Sequence, residues 1–318
     1  MFKIFIAGGA GFIGSHLTKA FLDEGHEVVV FDNNIQYFYP MNKYTIKNME
    51  FRHKYLLDGA RKIRGNTLDV NFLRKKIIEI KPDYIINLAA LPLAVTAVKN
   101  SEEAYKSILA STHNFMEVQK ECKWIKKYVH ISSSMIYGDF MKEPNPENAI
   151  KEPKDIYGSM KLASEYLVKG YSQLYDIKTA IIRPSAVYGP TDNNYRVLQK
   201  FVEAALDGHE IVANNPSTNR LDFSYVQDTA NGIKCVALAD TPNMEVFNIT
   251  RGEGRTIEEA IKILQNIFPD LKVSINNDMD FYPKRGTLDI KKSMDIGGYI
   301  PKFSLENGLQ KYVDFVRS

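Results

Sequence analysis

The stretch AGGAGFIG, Ala7 to Gly14, lies inside the opening MFKIFIAGGAGFIGSHL and decides the fold. It places four glycines in eight residues directly after an apolar run. Glycine weakens any helix or strand that contains it, so this density needs a reason. Lys3 ahead of an apolar run and small residues also matches a secretory leader. The continuation SHLTKAFLDEGHEVVVFDNN argues for something else, with helical spacing of apolar residues, a turn at Gly25 and a second apolar run ending at Asp32. Strand, glycine turn, helix and strand make a βαβ unit.

Within that unit each glycine has its own task. The first permits a tight turn, the next lets the backbone approach a pyrophosphate, and Gly14 lets the helix pack close to the strand. Gly8, Gly11 and Gly14 fit GxxGxxG, while Gly9, Gly11 and Gly14 fit GxGxxG. Phosphates then rest on the free N–H groups at the start of the helix. The phosphate-loop pattern GxxxxGK[ST] does not occur. A carboxylate closing the second strand accepts hydrogen bonds from ribose hydroxyls and repels an added phosphate. Asp32, followed by Asn33, therefore points to NAD rather than NADP.

The chain of 318 residues is long enough for one α/β domain with a smaller appended lobe. We expect an NAD-binding part over 1–180 and a mainly substrate-binding part over 181–318, with segments interleaved. A formal charge of +3 with dispersed basic residues gives no argument for nucleic acid. The two cysteines, Cys122 and Cys235, read as lying in helical segments without metal-ligand spacing, so neither a metal nor a disulfide framework is expected. That usage suits the cytoplasm, and no apolar run approaches the length of a membrane span.

Strand-like runs recur at KIFIA, EVVVFD, ARKIRG, YIINLAA, KYVHISSS and TAIIRPS, separated by helix-like stretches. Such alternation describes a Rossmann-type, doubly wound parallel sheet. Between Phe38 and Asp58 an insertion with aromatic and basic residues at roughly helical spacing predicts an added helix over the adenosine side. After Pro190 the alternation loosens into a lobe that closes on whatever the cofactor meets.

HISSSMIYGD ends one predicted strand, and IYGSMKLASEY opens a helix. Tyr157 and Lys161 stand four apart, hence on one helical face. An ammonium beside a phenol stabilises the phenolate and brings it toward use as a general base near neutrality. Ser133, at the strand's C-terminal end, is placed to relay the proton. YxxxK alone is common, with an aromatic core residue and an exposed lysine as its plain alternative. Its weight comes from following the glycine fingerprint and the serine cluster in this order.

With GGAGFIGSHL, FDNN, NLAA, ISSSMIYGD, YGSMK, RPSAVYGP, RLDFSYVQD and KRGTLD together, the chain resembles the extended short-chain dehydrogenase/reductases, specifically the NAD-dependent nucleotide-sugar epimerases and dehydratases. The resemblance runs over essentially the whole length. It implies Tyr157 as catalytic base, Lys161 on the nicotinamide ribose and Ser133 as relay. Gly8, Gly11, Phe12, Ile13, Gly14, Asp32, Asn33, Asn66, Thr67, Leu88, Ala89, Ala90 and Pro184 would line the NAD. Ser133 and Ser134 would meet the sugar, while Arg220 and Arg285 would clamp the substrate diphosphate, a task that suits guanidinium forks. A homodimer paired through the helices after residues 100 and 157 is the family's usual assembly.

The chain departs from the family at Asn66, where an acidic residue is usual, although its amide oxygen can still accept from adenine. Ile108 replaces the usual ribose-binding asparagine, and Ala186 replaces the asparagine of RPxNVYGP. Dehydratases of the family carry Asp and Glu directly after the serine, where this chain has Ser134 and Met135. The expected activity is therefore 4-epimerisation, and the insertion after FDNN, whose YFYP start resembles that of the uronic-acid 4-epimerases, implies a UDP-hexose or UDP-hexuronic acid as substrate. A 4,6-dehydratase and a non-catalytic NAD-binding regulator are the alternatives, the latter disfavoured by the intact Ser133, Tyr157 and Lys161.

Overall fold

The computed structural model describes residues 1–37, 41–276 and 283–318; Phe38 to Pro40, at the start of the expected insertion, lie outside the described residues. Seven strands form one parallel sheet. The first six are β1 (Lys3–Ala7), β2 (Glu27–Asp32), β3 (Arg61–Arg64), β4 (Tyr84–Asn87), β5 (Lys127–Ile131) and β6 (Thr179–Pro184). Four short strands of smaller sheets follow, β7 (Val187–Tyr188), β8 (Ile211–Asn214), β9 (Arg220–Asp222) and β10 (Ser224–Tyr225), before β11 (Glu245–Ile249) returns to the main sheet. The spatial order is β11-β6-β5-β4-β1-β2-β3. The winding reverses between β1 and β4, and open parallel sheets bind ligands in the crevice at such a reversal. Six strands match the apolar runs read above. The seventh, EVFNI, lies in the loosened second half, and its pairing with β6 carries the sheet past residue 181.

Apart from the exposed edge strand β3, RKIR, these strands are near-continuously apolar because helices cover both faces of the sheet. One face packs Ile4, Ile6, Val28, Val30 and Ile86 against Leu17 and Phe21 of α1 (Phe12–Leu22) and Ile233 of the Val226–Leu238 helix. The other face packs Phe5, Val29, Phe31, Ile85 and Tyr128 under Leu73, Ile77, Phe115 and Val168. A separate core in the second half joins Leu198, Val202, Ile261, Leu264, Leu309 and Tyr312. The helices supplying it are Val197–Leu206, Ile257–Ile267 and Leu305–Arg317.

The expected insertion helix exists as α2 (Lys43–Phe51), continued by a wider turn over Arg52–Leu56. It does more than cover one side of the crevice. Asn48 donates to Asp192 O at 3.0 Å and to Asn193 Oδ1 at 2.9 Å, and Phe51 packs edge-on to Phe315 at 4.8 Å. The insertion thus ties the sheet's first half to the C-terminal lobe. One smaller expectation needs correcting: Cys122 lies just past the end of the Ser111–Gln119 helix, whereas Cys235 is helical. Both cysteines are free thiols.

Candidate active site

Beyond the C-terminal ends of the strands lies a cavity of about 1160 Å³. All the site residues expected from the sequence line it: the glycine loop, Asp32 with Asn33, Asn66 with Thr67, Leu88 to Ala90, Ser133, Ser134, Tyr157, Lys161, Pro184, Arg220 and Arg285. They come from both halves of the chain, which is why the site cannot be divided at 180.

At one end the main chain forms the site. Gly8 has φ +73°, and a Cβ there would lie 2.8 Å from Ala89 N, just past the end of β4 across the reversal. A Cβ on Gly14 would lie 2.1 Å from Gly8 O, so only glycine lets α1 start this close to β1. Gly9 faces Val30 rather than the cavity, which selects GxxGxxG over the alternative spacing. Gly11 is the N-cap of α1 and supplies no side-chain hydrogen bond, leaving the helix's first N–H groups for a ligand. Asp32 accepts from Ala10 N at 2.9 Å and Asn34 N at 2.8 Å, so it shapes the glycine loop as well as facing the cavity. Asn66 accepts from Leu68 N at 3.0 Å through the oxygen foreseen for adenine, leaving that oxygen its second lone pair. A cradle that a Cβ would fill, a helix N-terminus and a carboxylate at the second strand's end fit a dinucleotide without a 2′-phosphate.

At the other end side chains assemble. Asp155 caps the Ile156–Tyr175 helix by accepting from Gly158 N at 2.7 Å, and this fixes the start of the turn that carries Tyr157. Lys161 follows one turn later, is 4% exposed, and donates to Ile131 O at 2.8 Å, with Nζ 5.8 Å from the Tyr157 ring centre. Another turn on, Glu165 makes a buried two-point pair with Arg183 of β6, at 2.9 and 2.6 Å. That pair locks the helix to the sheet. Ser133 Oγ accepts from Met135 N at 3.2 Å.

The electrostatics correct one expectation. Burial raises the Tyr157 phenol above its ordinary value, opposed by the charge of Arg196 and by a hydrogen bond with Ser133. Burial also lowers the Lys161 ammonium to about 8, against the pull of Glu165. The expected drop of the phenol toward neutrality is therefore absent from the protein alone, because desolvation outweighs the nearby cations. The principal opposing cation is Arg196 rather than Lys161.

Arg196 is the main residue that the sequence reading missed. Its guanidinium pairs with Asp192 at 3.0 Å and lies 5.7 Å from the Phe12 ring centre. Three residues on other segments fasten the loop that carries it. His16 contacts Pro190 O at 3.0 Å, Asn48 reaches Asp192, and Arg52 donates to Thr191 O and, at 3.5 Å, to Ala10 O. His16 sits in the quoted GGAGFIGSHL without any sign there of this contact, and only the helical spacing of the insertion hinted at Asn48 and Arg52. Of the departures from the family, Ile108 packs with Leu91, Ala97 and Ala104. Ala186 faces the cavity with φ +38°, a region that asparagine tolerates better than alanine.

A glycine-cradled helix N-terminus opposite a Ser–Tyr–Lys set defines the site of a dinucleotide-dependent enzyme. The pattern of the NAD dependent epimerase/dehydratase family matches residues 4–250, and the chain belongs to that family. NAD is its cofactor. Protein CapI of Staphylococcus aureus is 27% identical, with 98% of each chain covered. A dTDP-D-glucose 4,6-dehydratase of Dictyostelium discoideum is 27% identical over 82% of this chain and 61% of its own. The structure of UDP-glucuronic acid 4-epimerase from Bacillus cereus, with UDP-glucuronic acid and NAD, superposes with TM-score 0.89 at 27% identity, covering 99% of each chain. Among the described residues no helix is long and apolar enough to cross a membrane.

Proposed function

We propose that the protein is a nucleotide-sugar 4-epimerase acting on a UDP-hexose or UDP-hexuronic acid. The observation that carries this reading is the placement of carboxyl groups. Among the described residues lining the cavity, only Asp32 and Glu103 bear one. Asp32 holds the glycine loop, and Glu103 accepts from the Tyr37 hydroxyl at 2.9 Å. Elimination of water from a 4-keto sugar needs an acid for the leaving hydroxyl and a base for the C5 proton. Ser134 and Met135 stand where the dehydratases have those groups. Asp139 and Glu143, the nearest substitutes in sequence, lie outside the cavity lining: Asp139 pairs with Lys154 and accepts from Lys284 N, while Glu143 pairs with Arg220. Epimerisation needs neither role.

Bound NAD supplies a reversible hydride acceptor for the sugar's C4. Gly8, Gly11, Phe12, Ile13 and Gly14 hold its diphosphate, Asp32 and Asn33 its adenosine ribose, and Asn66 and Thr67 its adenine. Leu88, Ala89, Ala90 and Pro184 form the wall along it, and Lys161 holds the nicotinamide ribose. Tyr157 takes the proton from the C4 hydroxyl and later returns it, with Ser133 bridging phenol and sugar. Arg196 favours the ionised phenol, and Arg220 and Arg285 hold the substrate diphosphate. The assembly we propose is a cytoplasmic homodimer paired through the helices after residues 100 and 157, on which Tyr105 and Tyr166 stay exposed.

The test is a panel of UDP-, dTDP- and GDP-sugars followed by proton NMR in D2O. We expect a C4 stereoisomer of unchanged mass and no incorporated deuterium. A new C6 methyl signal carrying solvent deuterium would instead assign a dehydratase.

A further inference from the structure

We infer that Glu143 is a built-in anion that competes with a ligand's diphosphate for Arg220, and so sets how strongly this chain takes nucleoside diphosphates. The inference rests on the reading of Arg220 as a diphosphate contact. Arg220 opens β9 and lines the cavity. Its Nη1 nevertheless donates to both oxygens of Glu143, at 3.2 and 3.1 Å, while Nη2 donates to Gly254 O at 3.1 Å.

The carboxylate has a prepared seat. Thr287 N donates to its Oε2 at 3.1 Å, and a Cβ on Gly286 would lie 2.1 Å from its Oε1, so a side chain there would push the carboxylate out. Residues on either side of Glu143 are laced to the segment that carries Arg285. Phe140 N donates to Lys284 O at 2.8 Å, and Asn145 N to Thr287 O at 2.9 Å. Glu143 itself stays out of the cavity lining. The negative charge therefore stands behind the candidate diphosphate site, on one of its two arginines and beside the backbone of the other.

A guanidinium engaged by a carboxylate must release or share it to receive a phosphate, and the two anions repel one another. Because the pair is partly exposed, at 41% and 35% of side-chain surface, the competition tunes affinity and does not abolish it. Glu143 is thus a residue that moderates diphosphate affinity, without touching the reacting atoms.

The experiment is calorimetric titration of the full-length, NAD-loaded protein with UDP, dTDP and GDP. The proteins compared are the wild type, Glu143→Gln, Glu143→Ala, Arg220→Gln and the double variant E143Q/R220Q. E143Q keeps an oxygen for Thr287 N and removes the charge. We expect it to bind the preferred diphosphate about three- to fivefold tighter, the scale of a partly exposed ion pair, with a steeper loss of affinity as salt is added. E143A should also bind tighter, R220Q weaker, and the gain from E143Q should vanish on the R220Q background. Equal binding by wild type and E143Q, weaker binding by both Glu143 variants, or a gain that survives R220Q would each overturn the inference. Failure of all three diphosphates to bind any of these proteins would overturn the nucleotide-sugar reading itself and the inference with it, a result distinct from equal binding.

Discussion

The two ends of the cavity are built by different means. At the glycine end, backbone groups from one short stretch, Gly8 to Gly14, form the surface, and Asp32 sets its shape through Ala10 N. At the reaction and diphosphate end, Ser133, Tyr157, Arg196, Arg220 and Arg285 arrive from five separate segments. A main-chain site is decided by where side chains are missing, a property of local sequence. A side-chain site depends on every loop that aims its members, so it tolerates changes such as Ala186 and acquires neighbours such as Glu143 that no local pattern announces.

The largest expected effect separates the two ends cleanly. Tyr157→Phe keeps the ring and its packing but removes the ionisable oxygen, so turnover on the sugar identified by the panel should fall about 10²–10⁴-fold or more. NAD binding, measured by titration, should be retained. Unchanged turnover would place the base elsewhere; lost NAD binding would show that the two ends are not separable.

Gly14→Ala tests the opposite end. Its Cβ would meet Gly8 O at 2.1 Å, so α1 must shift away from the loop. Overpacking of this kind costs about 1–3 kcal/mol, which predicts roughly 10- to 100-fold weaker NAD binding, with the nucleoside-diphosphate affinity of saturated protein little changed. Equal loss of both affinities would erase the distinction drawn here.

The smallest effect in this group is a displacement along the pH axis. Burial raises the Tyr157 phenol and Arg196 opposes that rise. A general base works when deprotonated, so kcat/KM should climb as pH rises through the phenol's value. Arg196→Gln removes a cation that favours the phenolate, so this limb should move to higher pH and kcat/KM should fall on its acid side. At pH well above the limb, the variant should recover toward the wild-type rate. A uniform loss across all pH values would instead give Arg196 a role in holding the sugar.

Legibility followed the same division. The six early strands, the dinucleotide crevice and Asp32 were readable because periodicity and glycine spacing act over a few residues. Tyr157 and Lys161 were readable as a pair on one helical face, and the burial of Lys161 beside a half-buried Tyr157 was not. Burial turns the phenol's shift upward and lowers Lys161 to about 8, and it depends on what the rest of the chain lays over that helix. The strand EVFNI reads as part of a loosened lobe because its partner, β6, lies far earlier in the chain, a separation over which no local pattern speaks.

By itself, then, the sequence determined the elements, their alternation, the glycine cradle and the chemical types available for reaction. Those follow from short-range sterics and from the spacing of apolar residues. Only the tertiary structure decided that the insertion helix reaches across to the loop of Arg196, through Asn48 and Arg52. It likewise decided that Asp139 and Glu143, themselves outside the cavity lining, turn to basic partners, and that the second of these carboxylates rests on Arg220. Charge interactions are set by distances through space and by exclusion of water, and neither exists until the chain has packed.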